Sequence, residues 1–295
     1  AAAGVPSPAH RVFRSEEDPR AAAARVRFPC VLKPTFLSAS RGVIRADDAA
    51  GFVAAWQRIA RLLAAPEVAS RGGDAARQIL VEDFVPGREV ALEGILMEGA
   101  LRVLALFDKP DPLDGPFFEE TIYVTPSRLP DDVQRRCAAV AAHGARALGL
   151  RHGPVHAEMR VHQSEVWIIE MAARSIGGLC SRTLRFGTGF SLEALILSQA
   201  LGLETPPGER EAAAAAVMMI PIPRGGTLEA VRGLEAARAV SEVVEVTISA
   251  HVGQAIVPLP EGDRYLGFIF SRAPTPDRAE AALREAHARL EFRIV

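Results

Sequence analysis

A stretch of alternating apolar and polar residues between positions 155 and 171 constrains the fold more than any other part of the sequence. Two runs, VHAEMRV and EVWIIEM, are separated by a turn at residues 162–164, which is the pattern of a β-hairpin. Because side chains alternate along a strand, the first run has a polar face with His156, Glu158 and Arg160 and an apolar face for a core. We therefore expect a sheet with one polar and one apolar face in this region.

The returning strand of this hairpin carries a second glutamate, Glu170, which strict alternation places on the same face as Val166 and Ile168. A turn centred near Gln163 allows a register in which Glu158 and Glu170 are neighbours, directly or diagonally. Two adjacent carboxylates need a cation, and Mg²⁺ is commonly held by one or two carboxylates with substrate phosphates completing its shell. The alternative is a pair of glutamates that face solvent.

A lysine ends the second informative segment, the apolar run FPCVLKP at residues 28–34, which we interpret as a short buried strand. A buried ammonium group costs free energy unless an anion lies nearby, and a nucleotide phosphate is one natural partner for Lys33. The following loop contains SASRG at residues 38–42, whose consecutive amides could cover phosphates. This loop lacks the GxxxxGK[ST] and GxGxxG spacings, so a lysine that reaches solvent and an ordinary turn are the alternatives.

The third segment, ILVEDFVPGRE at residues 79–89, runs from a buried strand into a turn marked by Pro86 and Gly87. Glu82 and Glu89 are seven residues apart in this segment. Such a junction can offer backbone groups to an adenine ring, and carboxylates to its amino group or to a ribose. Two solvent-exposed glutamates are the alternative for this segment taken alone.

Composition excludes several classes of protein. The 34 basic and 36 acidic residues give a net charge of −2 and form no polybasic run, so we expect no nucleic-acid partner. No apolar stretch approaches the length of a membrane span, so we expect no membrane partner either. Cys30, Cys137 and Cys180 are far apart and form no CxxC motif, which favours a reducing cytoplasm.

Apolar periodicity and turn signals predict further elements. We expect a helix from Asp47 or Asp48 to about Leu63, a hairpin over residues 88–107, and helices over residues 131–148 and 191–201. Residues 205–211 are the clearest linker, and the strands and final helix beyond them suggest a separate α+β domain. Because Gly153 and Pro154 would break a helix, we interpret the neighbouring histidines as polar-face or turn residues and not as zinc ligands.

The three segments occur together and in order, and the combination resembles the ATP-grasp superfamily. The runs FPCVLKPTFLSASRGVIRADD, ILVEDFVPGREVALEG and HAEMRVHQSEVWIIEMAARSIGG are similar to those of carboxylate-amine ligases related to L-amino-acid (dipeptide) ligases. The similarity covers about residues 9–203, and the rest of the chain resembles the C-terminal domain of the same ligases. It implies an α+β fold with an ATP-grasp lid subdomain at residues 1–78, a core subdomain with a metal site at 79–204, and a small C-terminal α+β domain at 205–295.

The resemblance also implies an activity. Such a ligase uses ATP and Mg²⁺, with Mn²⁺ as an alternative cation, to join a small-molecule carboxylate and an amine, with amino acids as the favoured substrates. The carboxylate is activated as an acyl phosphate, and ADP and phosphate are released. Phosphoryl transfer relies on positioning and charge neutralisation, so acidic metal ligands together with Lys and Arg suffice.

Position by position, the resemblance assigns roles to residues of this chain. Lys33 would contact the ATP phosphates, and Arg174 would stabilise the acyl phosphate. Glu158 and Glu170 would bind the metal. The flap over the phosphates would include Ser38, Ser40, Arg41 and Gly42. The adenine-binding hinge would be Glu82 with the backbone of Asp83, Phe84 and Val85, and Glu89 would contact the ribose. The candidates for substrate binding are Glu119, Glu120 and Arg182, with a solvated face as the alternative for Arg182.

Two departures from the family pattern leave alternatives open. Ala172 stands where many members have an asparagine as a further metal ligand, so a catalytically silent nucleotide-binding module is one alternative. A biotin-carboxylase-like carboxylase is another, although its flap is rich in glycine and SASRG is not. Only 32 residues precede Lys33, where these ligases carry an N-terminal Rossmann-like domain. We expect that domain, through which a homodimer would form, to lie outside this sequence.

Overall fold

Two main sheets organise the chain in the computed structural model, which describes residues 3–186, 189–203 and 210–295. One sheet has four strands and the other has eight, and a two-stranded and a three-stranded sheet accompany them. The mixture of helices and strands confirms the predicted α+β class. None of the helices in the described ranges has the length and apolar character that a bilayer span requires.

The four-stranded sheet is formed by the N-terminal part of the chain. Its strands are β1 (His10–Arg14), β2 (Cys30–Pro34), β3 (Ile44–Ala46) and β4 (Gln78–Asp83), in the order β1-β4-β2-β3. Its helices are α1 (Pro19–Ala23), α2 (Ala49–Ala64) and α3 (Pro66–Gly72). Helix α2 begins where predicted, because the Asp48 carboxylate accepts the Gly51 N–H at 2.8 Å. Its buried face consists of Phe52, Trp56, Ile59 and Leu63, the residues of the predicted apolar stripe.

The eight-stranded sheet begins at the hairpin predicted around Glu98 and Gly99. Strands β5 (Arg88–Met97) and β6 (Ala100–Asp108) are followed by β7 (Ile122–Thr125), helix α4 (Asp131–Ala147), β8 (Gly153–His162) and β9 (Glu165–Ala172). Strands β10 (Arg185–Phe186) and β11 (Phe190–Ser191) pair with each other before helix α5 (Leu192–Ala200). Helix α4 packs through Val133, Cys137 and Ala141 on the apolar face of this sheet.

The C-terminal part of the chain continues the same sheet. Its elements are β12 (Ala214–Ile220), β13 (Gly226–Arg232), α6 (Leu234–Arg238), β14 (Val243–Ile248), β15 (Ala255–Ile256), β16 (Gly267–Ala273), α7 (Pro276–Ala288) and β17 (Glu291–Ile294). The strand order of the large sheet is β14-β16-β12-β7-β6-β5-β8-β9. Three C-terminal strands therefore belong to the eight-stranded sheet, and the separate C-terminal domain stays a prediction. The proposed linker, residues 205–211, lies mostly outside the described residues, and the division at residues 78 and 204 stays a prediction.

The hairpin of β8 and β9 has the predicted register but not the predicted faces. Glu158 lies directly opposite Glu170. A β-bulge at this point leaves Ile169 as an extra residue on β9 and breaks the alternation. As a result Val166 and Ile168 pack in the core, whereas Glu170 lines the cleft between the two main sheets. The prediction that Glu170 shares a face with these two residues is wrong, because the bulge turns its side chain to the face of the sheet that carries Glu158.

Candidate active site

A cavity of about 870 Å³ lies between the small sheet and the large one. It brings together most of the residues that the sequence nominated. Those that line it are Lys33, Ser38, Ser40, Arg41, Glu82, Asp83, Phe84, Val85, Glu89, Glu120, Glu158, Glu170 and Arg174. Segments that are far apart in the sequence therefore form one continuous surface.

Three nominated residues do not line this cavity. Gly42 lies at the base of the flap, where its φ of 78° and a Cβ position only 2.8 Å from a proline side chain require glycine. Glu119 is half-buried beside the cavity, and burial raises its pKa although the N–H of Ile222 opposes this shift. Arg182 lies in a separate groove and forms a 2.8 Å ion pair with Glu245. The substrate assignment of Arg182 stays a prediction, and its position in this groove favours the solvated-face alternative.

The predicted phosphate lysine and the hinge glutamate are direct neighbours. Strand β2 pairs with β4, and the Lys33 amino group lies 2.5 Å from the Glu82 carboxylate. Glu82 is therefore the anion that this largely buried lysine requires. Behind the hinge, the ring of Phe84 contacts two guanidinium groups, with Arg45 at 4.1 Å and Arg160 at 5.4 Å from the ring centre. These contacts fix the hinge between the two main sheets.

The flap, residues 38–42, is fastened to the C-terminal part of the chain. Arg41 donates to the carbonyl of Glu261 at 2.7 Å, and the N–H of Gly42 donates to the carbonyl of Pro260 at 2.8 Å. From helix α2, Arg58 forms a two-point ion pair with the Glu261 carboxylate, with an Nη2–Oε2 distance of 2.7 Å. We call these five residues the flap clasp. A phosphate that uses Arg41 has to compete with the clasp for this side chain.

Breaking the flap clasp is expected to weaken nucleotide binding. In Glu261→Arg two like charges meet at Arg58, so the flap loses its anchor, and we expect a three- to tenfold rise in the dissociation constant of an ATP analogue, given that this ion pair is about 40% exposed. The double variant Arg58→Glu, Glu261→Arg restores opposite charges and should recover most of the affinity. Calorimetric titration of the three proteins measures this. Equal affinities in the parent and the single variant would show that the clasp does not position the flap.

Three carboxylates meet at the centre of the cavity. One oxygen from each of Glu89, Glu120 and Glu158 lies within 4.8 Å of the other two. The amino group of Lys109 lies among them, 2.8 Å from Glu89, 2.5 Å from Glu120 and 3.1 Å from Glu158. Arg160 also binds Glu89, at 3.0 Å. Three acids and two bases leave a formal charge of −1, so the cluster can still attract a cation. We call these five residues the acidic cluster.

Lys109 is the main site residue that the sequence interpretation missed. It directly follows strand β6, and only 3% of its side chain is exposed. A signal was present in the composition, because the 34 basic residues include only two lysines, Lys33 and Lys109, and both reach this site. An ammonium group is a compact point charge that fits between several carboxylates, which a planar guanidinium does less well.

Burial and mutual repulsion shift the pKa values of the acidic cluster. Burial, followed by repulsion from Glu158, raises the pKa of Glu120 to about 7, although Lys109 opposes this shift. Burial acts in the same direction on Glu158, but Lys109 and His156 outweigh it and hold its pKa well below the usual range. Burial disfavours the charge on Lys109, yet the surrounding glutamates raise its pKa well above the usual value. Glu158 is therefore an anion at neutral pH, whereas Glu120 is near its titration point.

A buried histidine supports Glu158 from the neighbouring position on the strand. The Nε2 of His156 lies 3.2 Å from Glu158, and its Nδ1 binds Glu93. Glu93 also accepts the N–H of Ile176 at 3.0 Å. Burial acts to lower the pKa of His156, but Glu158 and Glu93 raise it to about 9. His156 lies on the polar face as predicted, but it is buried and charged, and Glu93 is a second residue that the sequence interpretation missed.

The donor set suits a hard divalent cation, although it differs from the predicted pair. Carboxylate oxygens are the ligands that Mg²⁺ prefers, and Glu89, Glu120 and Glu158 offer them close together. The side chain of Glu170 is 54% exposed and lies 3.6 Å from Arg174. Glu158 is therefore the one residue that the predicted pair and the observed group share.

Comparison with protein families agrees with this geometry. A model of the ATP-grasp domain matches residues 26–183, which is more than half of the chain. The chain belongs to the ATP-grasp family. A second model, L-amino acid ligase C-terminal domain 2, matches residues 218–295.

Two curated proteins and one crystal structure are informative relatives of this ATP-grasp chain. Alanine–anticapsin ligase of Bacillus subtilis is 28% identical over 208 residues, which cover 66% of this chain and 43% of that protein. Carnosine synthase 1 of Gallus gallus is 30% identical over 226 residues, which cover 72% of this chain and 24% of that protein. The crystal structure of L-amino acid ligase from Bacillus licheniformis superposes with a TM-score of 0.80 at 27% identity, covering 100% of this chain and 69% of that one. The chain spans less than half the length of the two curated relatives.

The charged state of His156 predicts a pH dependence for this ATP-grasp protein. Its pKa of about 9 in the folded state exceeds the usual value of 6.5, so its stabilising contribution is complete below about pH 6.5 and is lost as the pH rises through 9. We expect the metal-free protein to lose on the order of 3 kcal/mol of unfolding free energy across this interval. His156→Gln should remove this part of the pH dependence.

Urea denaturation in the presence of a chelator, at several pH values across this interval, measures the effect of His156. The matched control is His162→Gln, at an exposed position at the end of β8, next to the turn of the same hairpin. Parallel stability curves for the parent protein and His156→Gln would contradict the prediction.

Proposed function

We propose that this chain is the nucleotide- and metal-binding part of a carboxylate-amine ligase that uses ATP and Mg²⁺ to form an amide bond. The observation that carries the proposal is the cavity where a lysine-bearing strand, a hinge, a flap and the acidic cluster meet. The match to an L-amino acid ligase C-terminal domain and the names of the relatives support it. Small-molecule carboxylates and amines, with amino acids as the favoured class, are the proposed substrates.

The nucleotide would lie along the side of the cavity that the small sheet provides. The backbone of residues 83–85 would contact the adenine ring, with Glu82 at its amino group and Glu89 at the ribose. Lys33 would bind the phosphates under the flap, where Ser38 and Ser40 line the cavity. Lys33 and Glu82 form an ion pair at 2.5 Å. On nucleotide binding, Lys33 would exchange this contact for the phosphates and Glu82 would exchange it for the adenine amino group.

Glu158 and Glu170 would hold the divalent cation, either Mg²⁺ or Mn²⁺, with Glu120 and Glu89 as the nearest further carboxylates. When bound, the cation supplies neutralisation of the charge on the ATP phosphates. Ala172, opposite His156 on the hairpin, offers no side-chain ligand. The carboxylates would therefore be the only side-chain ligands that we assign to the metal. Lys109 would neutralise the charge of those carboxylates that the cation does not contact.

Arg174 and Glu120 are the residues that we assign to the reacting groups. In the proposed reaction the substrate carboxylate attacks the γ-phosphate of ATP, an acyl phosphate forms and ADP leaves. The amine then attacks the acyl carbon and phosphate leaves. The guanidinium of Arg174, which lines the cavity, would stabilise the phosphate oxygens in both steps. The pKa of Glu120 is about 7. When its carboxyl group is ionised, Glu120 would hold the α-ammonium group of an amino acid.

Calorimetric titration with a non-hydrolysable ATP analogue, with and without Mg²⁺, tests the nucleotide and metal assignments. We expect binding that requires Mg²⁺ in the parent protein and a loss of at least about 100-fold in the double variant Glu158→Gln, Glu170→Gln. Glu165→Gln is the matched control, because Glu165 is exposed on the same hairpin and lies outside the cavity. Equal Mg²⁺-dependent binding in the parent and the double variant would reject the metal assignment.

Release of ADP in the presence of pairs of amino acids tests the ligase chemistry. Turnover that depends on both a carboxylate and an amine would support the proposal. Binding of the analogue without ADP release for any pair would favour the catalytically silent module, for which Ala172 is the specific support. Release of ADP that depends on bicarbonate and biotin would favour a carboxylase.

A further inference from the structure

The wall of the cavity next to the acidic cluster is apolar. Its six residues come from four segments that the fold brings together, and all of them line the cavity: Tyr123, Ile176, Cys180, Met219, Tyr265 and Phe268. We call this set the apolar wall. Five of the six are buried in one hydrophobic cluster, and Tyr265 packs against it. The site therefore combines a charged centre with a sizeable apolar surface that the proposed ATP contacts do not use.

Contacts within the apolar wall hold it in place. The ring of Phe268 packs edge-on against Tyr265, with 6.2 Å between ring centres, and is stacked on Phe270 behind it. The sulfur of Cys180 lies 3.9 Å from that of Met219. A wall that is fixed in this way has a defined shape and can select among side chains by size.

The titratable groups of the apolar wall are neutral. Burial raises the pKa of the thiol of Cys180 and that of the phenol of Tyr265, and the charge of Glu120 adds to each shift. That common influence also places both residues in the field of Glu120. A charged side chain against this wall would lose its hydration without gaining a counterion from these six residues.

The apolar wall begins where the acidic cluster ends. The amino group of Lys109, 2.5 Å from Glu120, lies 4.9 Å from the centre of the Tyr123 ring. The hydroxyl of Tyr123 donates to Glu158 at 3.4 Å. An amino acid whose ammonium group is at Glu120 would therefore extend its side chain toward apolar groups within one side-chain length.

Glycine keeps part of this space open. Gly177 lines the cavity, and a Cβ added there would meet no atom within 4 Å. Its backbone conformation is one that other residues adopt, so a side chain can be introduced without backbone strain. The neighbouring Gly178 has a positive φ of 60° and is not suitable for such a substitution.

We propose that the apolar wall is the subsite for the uncharged, apolar side chain of the α-amino acid whose ammonium group Glu120 holds. This inference rests on the proposed ligase function and names the substrate class of that site. Leucine, methionine and phenylalanine are amino acids of the required chemistry, whereas aspartate and lysine are excluded by their charge. Since one methylene in an apolar pocket is worth about tenfold or more in discrimination, the wall is sufficient to set the preference.

Two variants change the size of the subsite in opposite directions. Met219→Ala enlarges it, and Gly177→Leu fills it. Met97→Ala is the matched control, because Met97 is half exposed and lies outside the cavity. The measurements are kcat/KM for ADP release across a panel of amino acids and, separately, calorimetric binding of each amino acid in the presence of the ATP analogue and Mg²⁺.

We expect the parent protein to prefer leucine, methionine or phenylalanine over aspartate and lysine by at least about tenfold. Met219→Ala should raise the ratio of kcat/KM for tryptophan to that for leucine by about tenfold. Gly177→Leu should lower the ratio of kcat/KM for phenylalanine to that for alanine by a similar factor. Met97→Ala should change neither ratio. Should Met219→Ala fail to fold, Gly177→Leu decides the question.

The two measurements separate the subsite from the proposed function. Selective binding of apolar amino acids without any ADP release would reject the ligase activity and support the subsite. ADP release with charged and apolar amino acids at equal rates, or size variants that change all substrates alike, would overturn the subsite and leave the ligase activity intact. Absence of amino-acid binding in the presence of bound analogue would overturn the subsite as well.

Discussion

Replacing Lys109 with methionine is expected to lower the free energy of unfolding by about 3–5 kcal/mol, the usual effect of removing one partner from a buried ion pair. The Lys109 amino group contacts three carboxylates, which in the variant would face one another without a cation between them. Methionine has nearly the volume of the lysine stem, so the loss would reflect charge and not packing.

Urea denaturation at constant pH measures this loss. We expect the stability difference to shrink as the pH falls, because the unpaired carboxylates of the variant become protonated at a higher pH than those of the parent, which loses the contribution of the Glu158 anion only as the pH falls below about 4.5. Mg²⁺ should stabilise the variant more than the parent, since a divalent cation can take the place of the ammonium group.

Lys33→Met provides the matched control for Lys109. It is the same substitution at the other lysine of the chain, which is more exposed and contacts a single carboxylate in the described structure. We expect it to cost clearly less stability than Lys109→Met. Equal losses in the two variants would contradict the view that Lys109 is the counterion of the acidic cluster.

Substituting Arg174 with alanine is expected to reduce kcat for ADP release by about 100- to 1000-fold, the range for removal of one charge-stabilising donor from an active site. Half of the Arg174 side chain is exposed to the cavity, and its contact in the described structure is a 3.6 Å ion pair with Glu170 and a hydrogen bond to the Ser175 carbonyl. It is thus free to meet a phosphate. Affinity for the ATP analogue should change only a few-fold, because the role that we assign to Arg174 belongs to the reaction and not to nucleotide binding.

Arg182→Ala is the control for Arg174→Ala. It tests whether the loss of any exposed arginine lowers the rate, or only the loss of an arginine in the cavity. The two side chains have similar exposure and each contacts one glutamate, but Arg182 lies in the separate groove beside Glu245. Rate measurements should show a change of no more than about twofold for Arg182→Ala. A loss as large as that in Arg174→Ala would show that the groove takes part in the reaction.

Local patterns predicted the elements that bear the site. The turn at residues 162–164 and the alternation before it define the register of Glu158 and Glu170, and an aspartate cap with a 3.6-residue apolar period defines helix α2. These signals are local because each depends on hydrogen bonds or contacts within one hairpin or helix. The bulge at Ile169 is a single extra residue without a distinct sequence signal. The sequence pattern therefore placed the Glu170 side chain on the wrong face of the sheet.

Residues that depend on pairing between distant strands were missed for a different reason. Glu93 reaches His156 because β5 pairs with β8, and Lys109, which lies across the predicted β5–β6 hairpin from Glu89, also reaches Glu158 through the pairing of β5 with β8. Neither His156 as the partner of Glu93 nor Glu158 as a partner of Lys109 can be found from spacing, since the register of strands separated by loops and a helix is decided by packing of the whole sheet. The contacts of β12 with β7 are likewise non-local, so the sequence pattern did not predict that these strands join one sheet.

The pairing of β12 with β7 affects how proteins of this kind can be recombined. The match to the first family model ends at residue 183, and the match to the second begins at residue 218. Strand β7 before this gap is nevertheless hydrogen-bonded to β12, which extends into the second matched region. All four residues of β7 are buried, so a polypeptide that ended before β12 would present an apolar, unpaired strand edge, which is a template for aggregation. A chimaera that exchanges substrate preferences between two such proteins should therefore take both matched regions from the same parent.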